Sequence, residues 1–84
     1  MKKVTIYSGD PCPYCAAAKA LLKTKNVEIE EFDIWKDPTK AKEMLQRTNG
    51  ARTIPQIFVG DHHIGGNDQL QEANKSGELD KILS

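Results

Sequence analysis

The chain has 84 residues, and its twelve basic and twelve acidic side chains give a formal net charge of zero. This length predicts one small domain, residues 1–84, and the balanced charge has no basic stripe or acidic tail, so neither nucleic acid nor a membrane is expected as a partner. The apolar run near the start is too short for a signal peptide, and no segment approaches the roughly 18 apolar residues of a spanning helix, so we expect a cytoplasmic protein.

The first half of the chain alternates between strand and helix signals. Residues 4–7, VTIY, predict a short first strand. The segment after the cysteines is rich in Ala, Leu and Lys and predicts a helix that ends near Asn26. Residues 28–34 combine β-branched and aromatic side chains between turn signals and predict a second strand, which Asp37 and Pro38 are expected to break.

The second half predicts one helix, a hairpin and a helical tail. Thr39 is the expected cap of the second helix. Residues 55–59 and 62–64 predict two antiparallel strands joined by a two-residue turn, and the tail predicts a helix interrupted at Gly77. The order is therefore βαβαββα, an α/β fold in which right-handed crossovers make the first two strands parallel. We expect a four-stranded mixed sheet flanked by helices.

Both cysteines lie in the stretch DPCPYC, residues 10–15, where the first strand gives way to the first helix. If Cys12 precedes the helix, Pro13 occupies its first position, where no amide N–H is needed. The Cys12 sulfur then faces unpaired amides at the positive end of the helix dipole, which favours the thiolate. We expect Cys12 to be a catalytic nucleophile and Cys15, one turn deeper, to be the resolving thiol of a dithiol–disulfide pair.

Structural explanations of the two cysteines are weaker. A disulfide across two intervening residues constrains the unfolded chain little, and cytosolic proteins seldom use structural disulfides. Two buried apolar cysteines would need no proline at the helix start. A zinc site needs about four ligands, and His62 and His63, the only histidines, are adjacent on a strand and point to opposite faces. No metal is therefore expected, and the C-x-x-C pair between strand and helix indicates a thioredoxin-like redox motif.

Three segments, CPYC, ARTIPQIFVG and HHIGGNDQL, occur in this order and resemble the glutaredoxins of the small bacterial dithiol type. The resemblance implies a thioredoxin fold and glutathione-dependent reduction of protein disulfides and glutathione mixed disulfides. It implies that Cys12 takes the glutathionyl group and that Cys15 closes the intramolecular disulfide. Glutathione, supplied with electrons from NADPH by glutathione reductase, would be the reducing co-substrate. The expected partners are glutathione and disulfide-containing or glutathionylated proteins, and the expected state is a monomer.

The resemblance also implies a set of glutathione contacts. The candidates are Tyr14, Arg52, Ile54, Pro55, Gly66, Asn67 and Asp68. From the sequence alone the Ile54–Pro55 bond would be trans, since only about 5 to 6 per cent of X-Pro bonds in folded proteins are cis. The family pattern implies a cis bond in a loop that offers the Ile54 backbone to the cysteinyl part of glutathione. Amides near the helix start at Asn67 would hold the γ-glutamyl carboxylate.

Two positions depart from the family pattern. Gly9 stands where the family often has a lysine, so a positive charge is missing near Cys12. Gln69 stands where the family often has an aspartate for the glutathione amino group, so we expect a neutral contact to replace a charged one. Each charge-assisted hydrogen bond contributes on the order of 1.5 to 3 kcal/mol, so the losses predict weaker glutathione binding. Arg52 is the nearest residue that could compensate.

Two alternative functions therefore stay open. The missing charges would suit a redoxin that thioredoxin reductase reduces directly. The other alternative is an iron–sulfur carrier, in which Cys12 of two subunits and two glutathiones hold a cluster. The proline within CPYC makes a tight first turn, and relatives with this motif generally do not carry clusters.

Overall fold

The computed structural model describes residues 3–84, so residues 1 and 2 of the expected 1–84 domain lie outside the described residues. The elements are β1 (Val4–Ser8), α1 (Pro13–Thr24), β2 (Ile29–Asp33), α2 (Pro38–Arg47), β3 (Gln56–Val59), β4 (His62–Gly65), α3 (Asn67–Ser76) and α4 (Glu78–Leu83). The predicted order is confirmed, and Gly77, with φ of +84°, divides the tail into α3 and α4 as expected. No helix within residues 3–84 combines the length and apolar character needed to cross a bilayer.

The strands form one sheet in the order β2-β1-β3-β4. β1 pairs in parallel with β2 and antiparallel with β3, and β3 pairs antiparallel with β4. The predicted mixed sheet is thereby confirmed. These directions bring the last residues of β1, β2 and β4 together with the first residue of β3, and we call this rim the carboxyl end of the sheet.

The sheet is covered on both faces because side chains alternate along each strand. Val4 and Ile6 point to one face, where they join a buried cluster with residues of β3, α1, α3 and α4. Tyr7 points to the other face and packs with Phe58 and with Met44 of α2. The helices on the first face anchor the two helix starts that line the candidate site.

The start of α2 differs from the prediction. The predicted cap, Thr39, was wrong: Asp37 is the cap, and its side-chain oxygen accepts a hydrogen bond of 3.1 Å from the Thr39 backbone N–H. Pro38 is the first helical residue, where the missing amide costs nothing. Asp37 and Pro38 come after β2, which ends at Asp33, in agreement with the predicted strand break. The same two residues also begin α2.

Candidate active site

Cys12 lies at the carboxyl end of the sheet and caps α1. Its backbone is extended, with φ of −152° and ψ of 100°, and Pro13 is the first helical residue, as the sequence predicts. The Cys12 Sγ accepts a hydrogen bond of 3.2 Å from the backbone N–H of Cys15. The buried side chains of Ala18 and Leu22 fix the helix against the core. One sulfur is therefore held where helix amides favour a negative charge.

Cys12 and Cys15 form a disulfide, with their Cα atoms 5.2 Å apart. The two cysteines differ in accessibility, because Cys12 is half-buried whereas Cys15 exposes only 1% of its surface. An external sulfur can therefore approach Cys12 but not Cys15. Within residues 3–84, no three side chains of His, Cys, Asp or Glu come together in a way that could hold a metal ion.

A groove of about 310 Å³ opens beside the cysteine motif. It is lined by Tyr14, residues 53–55 and residues 66–69. Tyr14, between the cysteines, is 65% exposed and forms one wall. Six of the seven candidate glutathione contacts therefore lie along one groove. Arg52 is exposed on the adjoining loop and does not line it.

The groove floor is made by two loops in close contact. The Ile54–Pro55 peptide is cis, as the family pattern implies and contrary to the frequency of X-Pro bonds. Ile54 also packs its side chain against the cluster of Tyr7, Met44 and Phe58. A Cβ atom at Gly66 would lie 3.3 Å from the Pro55 carbonyl oxygen, so a side chain there would push the loops apart. Glycine at position 66 keeps the groove narrow.

The amino end of α3 closes the far end of the groove. Gly66 is the cap residue, and its N–H donates a hydrogen bond of 2.9 Å to Gln69 Oε1. The backbone N–H groups of Asn67 and Asp68 belong to the first turn of α3. Such N–H groups have no hydrogen-bond acceptor within the helix. Gln69 thus lines the groove, but its side-chain oxygen is engaged by the protein. The neutral ligand contact expected at Gln69 does not include this bond within the protein.

A chain of hydrogen bonds supports the groove from behind. The Gln56 side chain, on a residue only 4% exposed, donates from Nε2 to Thr53 O at 2.9 Å and to Thr53 Oγ1 at 3.1 Å. Its Oε1 lies 2.7 Å from His63 Nε2. The His63 ring stacks on Phe58, with centroids 4.5 Å apart, and burial, followed by the charge of Arg47, lowers the pKa of His63 below its ordinary value. His63 is exposed on the hairpin, and the sequence did not predict its contact with a glutamine that lies inside an apolar strand.

Gly9 lies under an aromatic ring at the carboxyl end of the sheet. A Cβ atom at Gly9 would come within 2.5 to 2.7 Å of Cδ2, Cε3 and Cε2 of Trp35. No side chain fits there unless the indole moves. Glycine at position 9, where the family often has a lysine, therefore leaves the space that the Trp35 indole occupies. Trp35 is itself 58% exposed.

A C-x-x-C pair at the start of the helix that follows β1, beside a cis-proline loop, defines a dithiol–disulfide protein of the thioredoxin fold. The glutaredoxin family model matches residues 4–64. Glutaredoxin 3 of Escherichia coli is 45% identical over 83 residues, which cover 99% of each chain. The solution structure of glutaredoxin from Brucella melitensis superposes with a TM-score of 0.83 at 44% identity, covering 99% of this chain and 89% of that chain.

A more distant solved structure, a buckwheat glutaredoxin–glutathione complex, has a TM-score of 0.83 at 28% identity and covers 95% of this chain and 74% of that chain. The chain belongs to the glutaredoxin family. It is a thiol–disulfide oxidoreductase with the thioredoxin fold, and the resemblance found in its sequence is confirmed.

Proposed function

We propose that this glutaredoxin reduces glutathione mixed disulfides and protein disulfides with glutathione as the electron donor. In this proposal Cys12 is the nucleophile and Cys15 the resolving thiol. The observation that carries the proposal is the groove beside the motif, which is walled by backbone and by the amino end of a helix. Such a surface suits a short anionic peptide, and glutathione is one. The buckwheat relative has been solved in complex with glutathione, which supports the same ligand here.

The groove offers contacts along the length of a tripeptide. The Ile54 backbone, next to Pro55, would pair with the cysteinyl part in the manner of an added strand. The amides of Asn67 and Asp68 would hold the γ-glutamyl carboxylate, since a helix start attracts anions. The Asp68 carboxylate, in the first turn of α3, would face the amino group. Arg52 would need to extend from the loop to reach a ligand carboxylate.

The side walls would position the ligand sulfur. Tyr14 would cover the ligand from the side of α1, and Gly66 would let its backbone approach closely. The helix start that binds a carboxylate and the helix start that carries Cys12 both lie at the carboxyl end of the sheet. A glutathione held by its carboxylate would therefore bring its sulfur towards Cys12.

The reaction is two successive thiol–disulfide exchanges. The Cys12 thiolate attacks the glutathionyl sulfur of a mixed disulfide, the substrate sulfur leaves as a thiolate and takes a proton, and Cys12 becomes glutathionylated. The thiolate of a second glutathione then attacks the glutathionyl sulfur, which releases glutathione disulfide and restores Cys12. In sum, one mixed disulfide and one glutathione give one thiol and one glutathione disulfide.

Cys15 takes part when the substrate is a protein disulfide. Cys12 then attacks one substrate sulfur, and the other substrate sulfur leaves as a thiolate and takes a proton. The Cys15 thiolate next attacks the Cys12 sulfur, the substrate sulfur bound to Cys12 leaves as the second thiol, and the Cys12–Cys15 disulfide seen in the structure remains. Two glutathiones return this disulfide to the dithiol. We assign the reaction to a monomer, supported by the presence of both sulfurs and the groove in one chain. We assign it to the cytoplasm, the compartment in which glutathione keeps thiols reduced.

The matched variants Cys12→Ser and Cys15→Ser test the proposal. With glutathione, glutathione reductase and NADPH, we expect Cys12→Ser to lose reduction of a small glutathione mixed disulfide. Cys15→Ser should keep that activity within about threefold, because glutathione itself resolves the intermediate. The same Cys15→Ser variant should lose most activity on a protein disulfide. Equal loss in both variants on the small substrate would contradict the assigned roles.

Changing the electron donor separates the alternatives. If thioredoxin reductase with NADPH supports faster turnover than the glutathione system, the direct-reduction alternative replaces the proposal. An iron–sulfur carrier would show visible absorption after purification without oxygen and in the presence of glutathione. A colourless protein with turnover in the glutathione system is the result we expect.

A further inference from the structure

We propose that Trp35 is a specificity-determining residue whose indole contacts the polypeptide part of a glutathionylated substrate, on the side of Cys12 away from the glutathione groove. This inference rests on the proposed function and deepens it, because it assigns a place to the second half of the mixed disulfide. The expected occupant is an extended peptide segment with an apolar side chain near its modified cysteine.

The strand order places the two halves on opposite sides of the nucleophile. Cys12 follows β1, which lies between β2 and β3 in the sheet. The groove is built from the loop before β3 and the chain after β4, so it occupies one side of Cys12. Trp35 follows β2 and therefore lies on the other side at the same end of the sheet.

The indole is also within reach of a bound peptide. It packs directly on Gly9, which is three residues before Cys12. Three residues span at most about 11 Å, so Gly9 cannot be farther than this from the Cys12 backbone. In the substrate, the cysteine of the peptide is bonded to the glutathionyl sulfur that Cys12 attacks. The peptide chain therefore begins one disulfide bond away from that sulfur, and several extended residues cover the distance to Gly9.

The local structure holds the ring in place. The Asp33 side-chain oxygen Oδ1 accepts hydrogen bonds from the backbone N–H groups of Trp35 at 2.9 Å and Lys36 at 3.2 Å, which fixes the turn after β2. The absence of a side chain at Gly9 provides the seat for the ring. A large aromatic surface that is already ordered binds with little loss of conformational entropy.

Exposure supports the same assignment. Among residues 3–84, the exposed large apolar side chains are Trp35 and Tyr14, at 58% and 65%. Tyr14 lines the groove, whereas Trp35 does not. When glutathione fills the groove, the polypeptide on the other sulfur must leave the site on a free side. The flank of Trp35 is such a side, and it offers an apolar contact.

The test compares Trp35→Ala with Lys36→Ala, a change at the exposed neighbour that leaves the indole in place. The substrates are cysteine–glutathione mixed disulfide and two glutathionylated peptides of equal charge, with Leu or Ser two residues from the cysteine. We expect Trp35→Ala to lower kcat/KM for the Leu peptide about fivefold to tenfold and to change it less than twofold for cysteine–glutathione. Lys36→Ala should preserve the preference for the Leu peptide.

Two results would overturn the inference. One is an unchanged kcat/KM for the Leu peptide in Trp35→Ala, and the other is an equal loss on all three substrates. If the wild-type protein does not turn over cysteine–glutathione at all, the proposed function fails instead. Trp35→Phe keeps an aromatic ring over Gly9, so it should retain more of the preference for the Leu peptide than Trp35→Ala.

Fluorescence gives a second measurement that needs no change at position 35. Trp35 is the only tryptophan beside two tyrosines in the chain, so emission that is excited selectively from the indole reports its surroundings alone. In the Cys15→Ser variant, Cys12 can be trapped as a mixed disulfide with either the Leu peptide or glutathione. We expect a shift of the emission to shorter wavelength with the peptide and little shift with glutathione. An unchanged emission with the peptide would contradict the inference.

Discussion

The two faces of the sheet are stabilised by different kinds of contact. On the face covered by α1, α3 and α4, nine buried apolar side chains form one continuous cluster. On the face covered by α2, three buried side chains form the cluster, and aromatic, hydrogen-bonded and charged contacts surround it. The first face is stabilised by the apolar area that is removed from water. The second face is stabilised by directional hydrogen bonds and by charged contacts as well. Helix α1, which Cys12 caps and which contains Cys15, belongs to the first face.

Tyr7 and Arg47 show how the second face is held. The Tyr7 hydroxyl donates to the Glu43 carboxylate and accepts a hydrogen bond of 3.0 Å from Arg47 Nη1. Burial, followed by the bond to Glu43, raises the pKa of Tyr7, and the same bond lowers the pKa of Glu43. The Arg47 guanidinium also lies 3.9 Å from the centroid of the Phe58 ring. α2 is thus tied to the sheet by a few specific groups.

The largest expected effect comes from breaking the apolar face. Leu22→Ala removes a fully buried side chain from the cluster under α1 and should lower the free energy of unfolding by about 2 to 5 kcal/mol. Urea denaturation measures the loss. Leu21→Ala, at a half-buried neighbour, should cost clearly less. Equal losses at the two leucines would mean that this face does not depend on burial.

A smaller effect is expected on the α2 face. Arg47→Met keeps most of the apolar stem but removes the hydrogen bonds to Tyr7 and to Gly60 O and the contact with the Phe58 ring. We expect a loss of about 1 kcal/mol, which should shrink in high salt. The control Arg52→Met, at another exposed arginine, should stay within about 0.5 kcal/mol of wild type in the same unfolding experiment. If both variants lose the same amount, the contacts of Arg47 contribute nothing.

The smallest effect is a pH dependence confined to the α2 face. Because the pKa of His63 is lower in the folded protein than its ordinary value of 6.5, the unfolded chain binds more protons as the pH falls. The contribution to stability is present in full above about pH 6.5 and is lost as the pH falls through the folded-state pKa. His63→Gln should flatten this part of the stability profile. His62→Gln should leave the decline intact, and a decline that survives in His63→Gln would assign it to another group.

The sequence predicted the site best where a local rule suffices. Cys12 as a cap and Pro13 as the first helical residue follow from the chemistry of helix starts, and both are confirmed. The same rule failed at Thr39, because Asp37 followed by Pro38 can either break a strand or begin a helix. The parallel direction of the first two strands and the antiparallel hairpin of the last two followed from the order of elements, the handedness of crossovers and the two-residue turn.

Contacts between distant parts of the chain were beyond the sequence. The sequence showed only that Gly9 stands where the family often has a lysine. No side chain fits there because of Trp35, which is 26 residues away in the chain. The sequence did not predict that the side-chain oxygen of Gln69 accepts a hydrogen bond from the Gly66 N–H. No feature of the sequence predicted that the Asp10–Pro11 bond is cis. Each depends on packing that a pattern of residue types does not specify.

The link between Gln56 and Thr53 determines which nitrogen of His63 carries hydrogen. Because the Gln56 amide nitrogen donates to Thr53, the oxygen of the same amide is the atom that faces His63 Nε2. An amide oxygen only accepts hydrogen bonds, so Nε2 must be the donor. The neutral ring is therefore the Nε2–H tautomer, in which Nδ1 carries no hydrogen. The nitrogen-15 shifts of one imidazole on the hairpin would thus report whether the loop before Pro55 is in place.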